Sequence, residues 1–480
     1  MVRSGCPILE LRGYQQECIG ELRGAYASGC KAPLLVLPTG GGKTVIFSYM
    51  AARAAEKGRR VLLLAHRREL VSQISAALGR WDCPHGVISV AHKLSNEPVQ
   101  VAMAQTLAKR LTLDKSGRYR FDFVIIDEAH HATQKSTWGQ VLAHNAGALL
   151  LGVSATPCRL DGKGLGKQSQ GFFDLLVIGP TMNELIELGN LVRPVVYAPA
   201  KSIDLSGVKK FRGDYALGAL AGAVDRAAIT GNAIDEYRAH ADKRSAIAFT
   251  VTVEHAGHVA EQFKAAGYQA AVLTGATPDG ERARMIRDLG NGSLHLLASC
   301  NVVSEGTDIP AVFAALLLRP TESYALAMQQ IGRALRPAPG KAAAIILDHA
   351  DNVRRHGFPT DEVEWTLSGV SKKAAAKSVT PRICLLCRAY LSLRALKCPE
   401  CGADVVEKGG AARTDLIIER DGKLQELTPE MLAAQRKRRA RELVSARSRH
   451  DLIQLGQARQ YKNPEYWADK ILEERRQWAR

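Results

Sequence analysis

The chain lacks what would place it in a membrane or outside a cell. No apolar run in its 480 residues reaches the ~18 that a spanning helix requires. Residues 1–16 lack the apolar core of an export signal. Cysteine is scarce and mostly dispersed. Cys6, Cys18, Cys30, Cys83, Cys158 and Cys300 do not form the dense framework of a small secreted domain. These absences predict a soluble cytoplasmic protein, with Cys158 and Cys300 as small buried residues without chemistry. Acidic side chains are also under-represented: 48 Asp and Glu face 65 Lys and Arg, a net charge of +17. Such an excess attracts polyanions without choosing among nucleic acid, acidic protein and anionic membrane. At 46% hydrophobic and 24% charged residues, the composition excludes a largely disordered chain.

What is present is an alternation that occurs twice. Short apolar runs at 33–37, 61–65, 99–104, 123–127 and 149–154 alternate with amphipathic stretches such as 43–57 and 68–79. Runs of about five residues, apolar throughout, are how strands buried on both faces of a parallel sheet read. The pattern restarts at 245–250, 270–274, 294–299, 313–318 and 343–347, alternating with helical segments 253–266, 280–289 and 322–335. The sequence therefore predicts an α/β fold with two domains of similar size, 1–190 and 191–370. Gly and Pro punctuate the passage between them, 171–231. Residues 371–378 read as a linker and 378–408 as a four-cysteine unit. Residues 409–480 read as a hairpin at 413–427 followed by a basic helical tail.

Leu37-Pro38-Thr39-Gly40-Gly41-Gly42-Lys43-Thr44 lies between a predicted strand and a predicted helix. Glycines there let backbone N–H groups converge on a phosphate at a helix N-terminus. Lys43 suits the β- and γ-phosphates of ATP, and the Thr44 hydroxyl suits Mg²⁺. Leu37 stands where this motif usually has its first glycine. Thr39, Gly40, Gly41, Gly42, Lys43 and Thr44 are the expected nucleotide-binding residues. Downstream, Phe123-Val124-Ile125-Ile126-Asp127-Glu128-Ala129-His130 ends a buried run in two carboxylates. Asp127 is suited to hold Mg²⁺ and Glu128 to polarise an attacking water, the two needs of phosphoryl transfer to water.

Two features lie beyond the α/β pattern. Cys384-x2-Cys387-x10-Cys398-x2-Cys401 supplies four thiolates at ribbon spacing, so a closed, structural Zn²⁺ site is expected; an iron–sulfur site or free thiols are the alternatives. Arg436-Lys437-Arg438-Arg439-Ala440-Arg441 is either a solvated helix face or a phosphate-contacting one.

With these motifs in order, the chain resembles the superfamily 2 helicases and translocases of the DEAD/DEAH group. Leu11-Arg12-Gly13-Tyr14-Gln15 looks like the adenine-reading Q motif, and Ala65-His66-Arg67-Arg68-Glu69-Leu70 like motif Ia. Gln105-Thr106-Leu107 resembles the Ib/Ic region, Ser154-Ala155-Thr156 motif III and Ala248-Phe249-Thr250 motif IV. Ser304-Glu305-Gly306-Thr307-Asp308 looks like motif V, and Gln329-Gln330-Ile331-Gly332-Arg333-Ala334-Leu335-Arg336 like motif VI. These segments span 11–336, about two-thirds of the chain. Leu-Arg-x-Tyr-Gln and Ser-Ala-Thr-Pro-x-Arg-x-Asp-Gly look most like bacterial and phage duplex-DNA helicases related to XPB and to restriction motor subunits.

The resemblance implies two tandem RecA-like domains that clamp ATP and Mg²⁺ between them, followed by a zinc ribbon and a helical basic tail. Arg12 and Gln15 would meet the adenine, and Gly306 and Asp308 would lie near the ribose. Gln329 would help to position the water, while Arg333 and Arg336 would reach across as arginine fingers. Motif Ia would face a nucleic-acid backbone, and motif III would couple it to the ATP site. Phe249 would either stack on a base or fill the core. His131 would be surface or structural. The implied partner is nucleic acid, foremost DNA, with no membrane; the zinc ribbon or tail could also hold a protein partner. The implied activity is a DNA helicase or translocase in replication, recombination, repair or phage genome processing. A restriction or defence motor and an RNA-remodelling helicase are the alternatives. Of the net charge, +7 falls in residues 1–370 and +10 in 371–480. The C-terminal part is therefore expected to be a second anchoring surface.

Overall fold

Each buried apolar run becomes a strand because both of its faces meet helices. The computed structural model describes residues 10–370 except 91, 93, 113–116, 160–162, 200–209, 212–213, 216–226, 301–308 and 310. Beyond these it describes 382–383, 390–391, 424–427, 446, 448–458, 465, 468–469 and 471–472. Cys384, Cys387, Cys398 and Cys401, the linker 371–378 and the basic run 436–441 lie outside the described residues, as do Gly306 and Asp308.

The first sheet contains β1 (Pro33–Val36), β2 (Val61–Ala65), β3 (His85–Ile88), β4 (Val99–Met103), β5 (Phe123–Asp127), β6 (Leu149–Ser154) and β7 (Leu175–Ile178). Their spatial order is β3-β4-β2-β5-β6-β1-β7, with every pair parallel. Alternate side chains feed two cores. Leu35, Leu63, Ile125 and Val153 pack with α1 (Gly13–Ala27), α2 (Lys43–Glu56) and α3 (Arg68–Gly79). Leu34, Leu62, Leu64 and Ile126 pack with α4 (Ala104–Leu111) and α5 (Thr137–His144) on the other face. This two-sided burial is why the strands carry no polar alternation.

After β7 and α6 (Met182–Glu187), the chain enters a second sheet through β8 (Arg193–Pro199). A short antiparallel ribbon, β9 (Lys210–Phe211) and β10 (Asp214–Tyr215), precedes helix α7 (Ala227–Ala241). The parallel strands β11 (Ala246–Phe249), β12 (Ala270–Leu273), β13 (Leu296–Ser299), β14 (Ala314–Leu317) and β15 (Ala343–Asp348) follow. Between them lie α8 (Val253–Ala265), α9 (Asp279–Asn291) and α10 (Tyr324–Ala334); α11 (Asn352–His356) comes after β15. Phe249 is 2% exposed and belongs to this lobe's core, so of its two expected roles the filling one holds. Cys158 and Cys300 differ from expectation: both are only half-buried, and the Cys300 thiol donates to the Val251 carbonyl.

Two later segments tie the lobes and extend the second sheet. The hairpin of β16 (Trp365–Thr366) and β17 (Gly369–Val370) returns to the first lobe. There Gly166 N–H donates to the Leu367 carbonyl at 2.9 Å, and Trp365 and Leu367 pack against the α4–α5 core. A two-residue pair, β18 (Arg382–Ile383) and β19 (Tyr390–Leu391), comes next. Then β20 (Leu424–Leu427) lies antiparallel on β8, giving the order β12-β13-β11-β14-β15-β8-β20. Most of the hairpin expected over 413–427 lies outside the described residues, but its last strand is part of the second sheet. Helix α12 (Arg449–Ala458) seals a small cluster in which Ala446, Leu452, Ala468 and Ile471 are buried together. Among the described residues, no helix is long and apolar enough to cross a membrane.

Gly152 in β6 shows how tightly the first lobe is filled. A Cβ at this position would lie 2.3 Å from the Phe173 ring and 2.8 Å from Leu34 Cδ1. Gly152→Ala is expected to cost about 1–3 kcal/mol through overpacking, read as a lower urea midpoint. An unchanged midpoint would contradict this packing.

Candidate active site

Strand order places the chemistry. The carboxyl ends of β5, β6 and β1 are neighbours, with Val36 in register with Ser154 and Asp127 in register with Val153. Open parallel sheets bind their ligands at this edge. The glycine loop leaves β1, the acidic pair ends β5, and Ser154 ends β6 between them. Gly40 and Gly42 hold φ of +88° and +81°, a left-handed backbone that side-chain-bearing residues rarely adopt. A Cβ at Gly42 would stand 2.4 Å from Gln15 Nε2. The loop then opens α2 directly at Lys43, so first-turn N–H groups and the helix dipole face an incoming phosphate. The Lys43 ammonium donates to the Leu37 carbonyl at 3.2 Å, and the Tyr14 hydroxyl braces the loop through the Gly41 carbonyl at 2.9 Å.

Asp127 is buried, and Glu128 adopts φ +50° and ψ +55°, a left-handed conformation for a non-glycine residue. Its N–H donates back to Asp127 Oδ1 at 3.0 Å. Burial, and then the neighbouring Glu128 carboxylate, push the Asp127 carboxyl well above the usual carboxylate range, with Lys43 pulling the other way. A buried carboxylate short of positive charge, with the Thr44 hydroxyl on the same cavity wall, is a donor set that fits Mg²⁺. Bound there, the cation would neutralise charge on the β- and γ-phosphates.

His130 sits behind Glu128. Its Nδ1 lies 3.3 Å from Glu128 Oε2 and 3.2 Å from Ser154 Oγ. The Ser154 proton goes to the Thr156 carbonyl at 2.9 Å, so the hydrogen of the His130–Ser154 bond sits on His130 Nδ1, which donates to Ser154 Oγ and lies beside the Glu128 carboxylate. His130 thus links the acidic pair to Ser154-Ala155-Thr156.

The second lobe closes the cleft with α10, whose N-terminus is capped by Ser323 Oγ accepting from Leu326 N–H at 3.2 Å. Gly332 makes the close approach: a Cβ there would stand 2.7 Å from Thr39 Cβ. The resulting cavity, about 350 Å³, is walled on one side by Arg12, Thr39, Gly40, Gly42, Lys43, Thr44, Asp127 and Glu128. Gln329, Arg333 and Arg336 face them from the other lobe. The size lies within the range of small-ligand sites.

Some expected residues stand elsewhere. Gln15 is buried and its Oε1 accepts from Arg12 N–H at 3.0 Å, a capping box at the start of α1; it does not line the cavity. Gly41 does not line the cavity either; a Cβ there would stand 2.7 Å from Leu37 Cγ. Leu70 of the motif Ia segment also lines the cavity, and Gln73, Asn190 and Pro337 line it without having been singled out by sequence. Lys341 was also missed. Its buried ammonium donates to the carbonyls of Val312 at 2.6 Å and Arg336 at 2.8 Å, and to that of Ala334. It pins the C-terminal end of α10 beside Arg336, whose own guanidinium donates to Ile309 O at 2.9 Å. A lysine spent on three backbone carbonyls leaves no sequence signal.

The Gly332 contact gives a direct test. Gly332→Val should hold the lobes apart, so ATP turnover falls sharply while the melting temperature stays near that of the wild type. Wild-type turnover in a folded Gly332→Val protein would show that this approach is not required.

Comparison with known proteins agrees with this geometry. Residues 8–159 match the family model described as type III restriction enzyme, res subunit, and residues 230–338 match the helicase conserved C-terminal domain. A Lactococcus phage protein described only as a 51.5 kDa protein is 31% identical over 387 residues, covering 80% of each chain. A Saccharomyces cerevisiae protein with the provisional name ATP-dependent helicase IRC3 is 30% identical over 367 residues, 70% of this chain and 51% of that one. In structure, a fragment of a provisionally assigned HsdR subunit of a type I restriction enzyme from Vibrio vulnificus superposes with a TM-score of 0.54. It is 20% identical and covers 71% of this chain and 64% of its own; at that identity the likeness speaks to the fold. The chain belongs to the superfamily 2 helicases, enzymes that hydrolyse ATP to act on nucleic acid.

Proposed function

We propose that this protein is an ATP-driven DNA helicase or translocase. The observation that carries the reading is the cleft, where Lys43, Asp127 and Glu128 of one lobe face Gln329, Arg333 and Arg336 of the other. Lys43 would hold the β- and γ-phosphates, Asp127 and Thr44 the Mg²⁺, and Glu128 the attacking water. Arg333 and Arg336 would stabilise charge on the transferred phosphoryl group, which makes hydrolysis depend on lobe closure. In this reading 1–190 is the ATP-binding unit and 191–370 its partner lobe. Residues 378–408 form a zinc ribbon on Cys384, Cys387, Cys398 and Cys401. The basic residues of 409–480 are a second grip on the DNA backbone, and a protein partner could share that surface. The cytoplasm is the expected site of action. Work on replicating, recombining, damaged or phage DNA fits the likeness to a phage protein. The match of 8–159 to a restriction res subunit favours a second reading, a restriction motor whose nuclease sits on another chain.

The test is the ATPase rate without nucleic acid and with single-stranded DNA, duplex DNA or RNA. A low unstimulated rate and strong stimulation by DNA are expected. Lys43→Ala and Glu128→Gln should each abolish turnover. Neutralising Arg436, Lys437, Arg438, Arg439 and Arg441 should flatten the salt dependence of DNA binding more than it lowers saturated turnover. Stimulation by RNA alone would overturn the DNA reading, and an active Glu128→Gln enzyme would overturn the site.

A further inference from the structure

Two residues outside the catalytic set, His66 and His131, complete a row of rings along the carboxyl edge of the first sheet. His66 directly follows β2, and His131 ends the one-turn helix Ala129–His131 that follows β5. The two strands are neighbours in the sheet. The ring centroids of His66 and His131 are 4.4 Å apart, and those of His131 and His130 are 4.2 Å apart. Both contacts are tilted, at 48° and 42°. From His130 the row continues through Nδ1 to Glu128 Oε2 and Ser154 Oγ. It thus crosses the ends of three adjacent strands, β2, β5 and β6. The His66 Nδ1 and His131 Nε2 atoms are buried, as is the whole His130 side chain.

The outer end of the row is a loop with two other contacts. Arg67 and Arg68 follow His66, and Arg68 is exposed on this edge. Glu69, the next residue, accepts from Arg282 Nη1 of the second lobe at 3.0 Å; Arg282 Nη2 also donates to the Thr274 carbonyl at 3.3 Å. Residues 66–69, a two-residue loop and the first turn of α3, therefore meet solvent, the other lobe, and the ring row that ends at Glu128. A shift of this loop must move the His66 ring, and packed rings do not deform continuously.

We propose that His66 and His131 are positioning residues that carry occupancy of the nucleic-acid edge to Glu128. With a strand on Arg67 and Arg68, the loop presses His66 onto His131. The row then holds His130 and, through it, the left-handed Glu128 in the orientation that polarises water. This inference rests on the reading of the protein as a nucleic-acid-stimulated ATPase. It assigns the stimulation to ring contact, not to added strand affinity.

The experiment compares wild type, His131→Ala and His131→Phe for ATPase rate with and without duplex DNA and for DNA affinity by fluorescence anisotropy. His131→Ala should lower the ratio of stimulated to unstimulated rate by at least about fivefold, the lower range of coupling between sites. Its DNA affinity and its KM for ATP should stay unchanged. His131→Phe, which keeps a ring between the other two, should restore most of the ratio. A wild-type ratio in His131→Ala, an equal loss in His131→Phe, or a loss of DNA affinity that accounts for the lost rate would each overturn the inference. If His131→Ala fails to melt cooperatively, His66→Ala and His66→Phe make the same comparison from the other end of the row. Absence of DNA stimulation in the wild type itself would instead defeat the functional reading on which the inference stands.

Discussion

Contact between Gly332 and Thr39 sets the distance at which the two lobes face each other. The helix that carries Arg333 and ends just before Arg336 can seat on the glycine loop only because no side chain intervenes; a Cβ at Gly332 would already be 2.7 Å from Thr39. That approach gathers opposite charge into one small volume. Two carboxylates, the Lys43 ammonium and the Arg12 guanidinium lie on one wall, and the Arg333 and Arg336 guanidinium groups on the other. Neither wall is complete by itself. The first would hold phosphates and orient a water, and its cations are Lys43 and Arg12, the latter expected at the adenine; charge that builds on the transferred group would call for more. The second supplies that charge only when closed.

The surrounding fold constrains the same contact from several sides. Lys341 fixes the end of α10 to the Val312 carbonyl, so the helix cannot slide along its axis without stripping a buried ammonium of its acceptors. The Arg282–Glu69 pair bridges the lobes near motif Ia. The hairpin at 365–370 bridges them again near Gly166. An enzyme whose lobes open and close must make and break some of these. The Arg282–Glu69 pair is half-buried, and Arg282 also holds the Thr274 carbonyl of its own lobe, so Arg282 keeps a partner when the pair to Glu69 breaks.

Much of this was legible in the sequence, for a physical reason. Strands buried on both faces need unbroken apolar runs, and 61–65, 123–127 and 149–154 were bounded to the residue. The strands that were missed lie at or near sheet edges or in the punctuated passage between lobes. His85–Ile88 alternates in burial, Leu175–Ile178 is partly exposed, and Arg193–Pro199 contains two prolines. β20 pairs with a strand more than two hundred residues away, which no local pattern records. The glycine loop and acidic pair were legible because phosphate chemistry admits few residues at those positions. Gln15 reads as a purine contact, and only the fold reveals that its Oε1 also accepts from Arg12 N–H in a helix cap. Lys341 and the row of histidines were not legible because they act through backbone carbonyls and ring contacts that only the fold brings together.

Catalysis is expected to require charge from both lobes, while binding of the phosphates is expected to belong to the first. Equilibrium binding of ATP and single-turnover hydrolysis in Arg333→Ala with Arg336→Ala test it directly. ATP affinity should stay close to that of the wild type, and hydrolysis should fall by about a thousandfold or more, the scale of arginine-finger stabilisation. Hydrolysis near the wild-type rate in a protein that still binds ATP would contradict it.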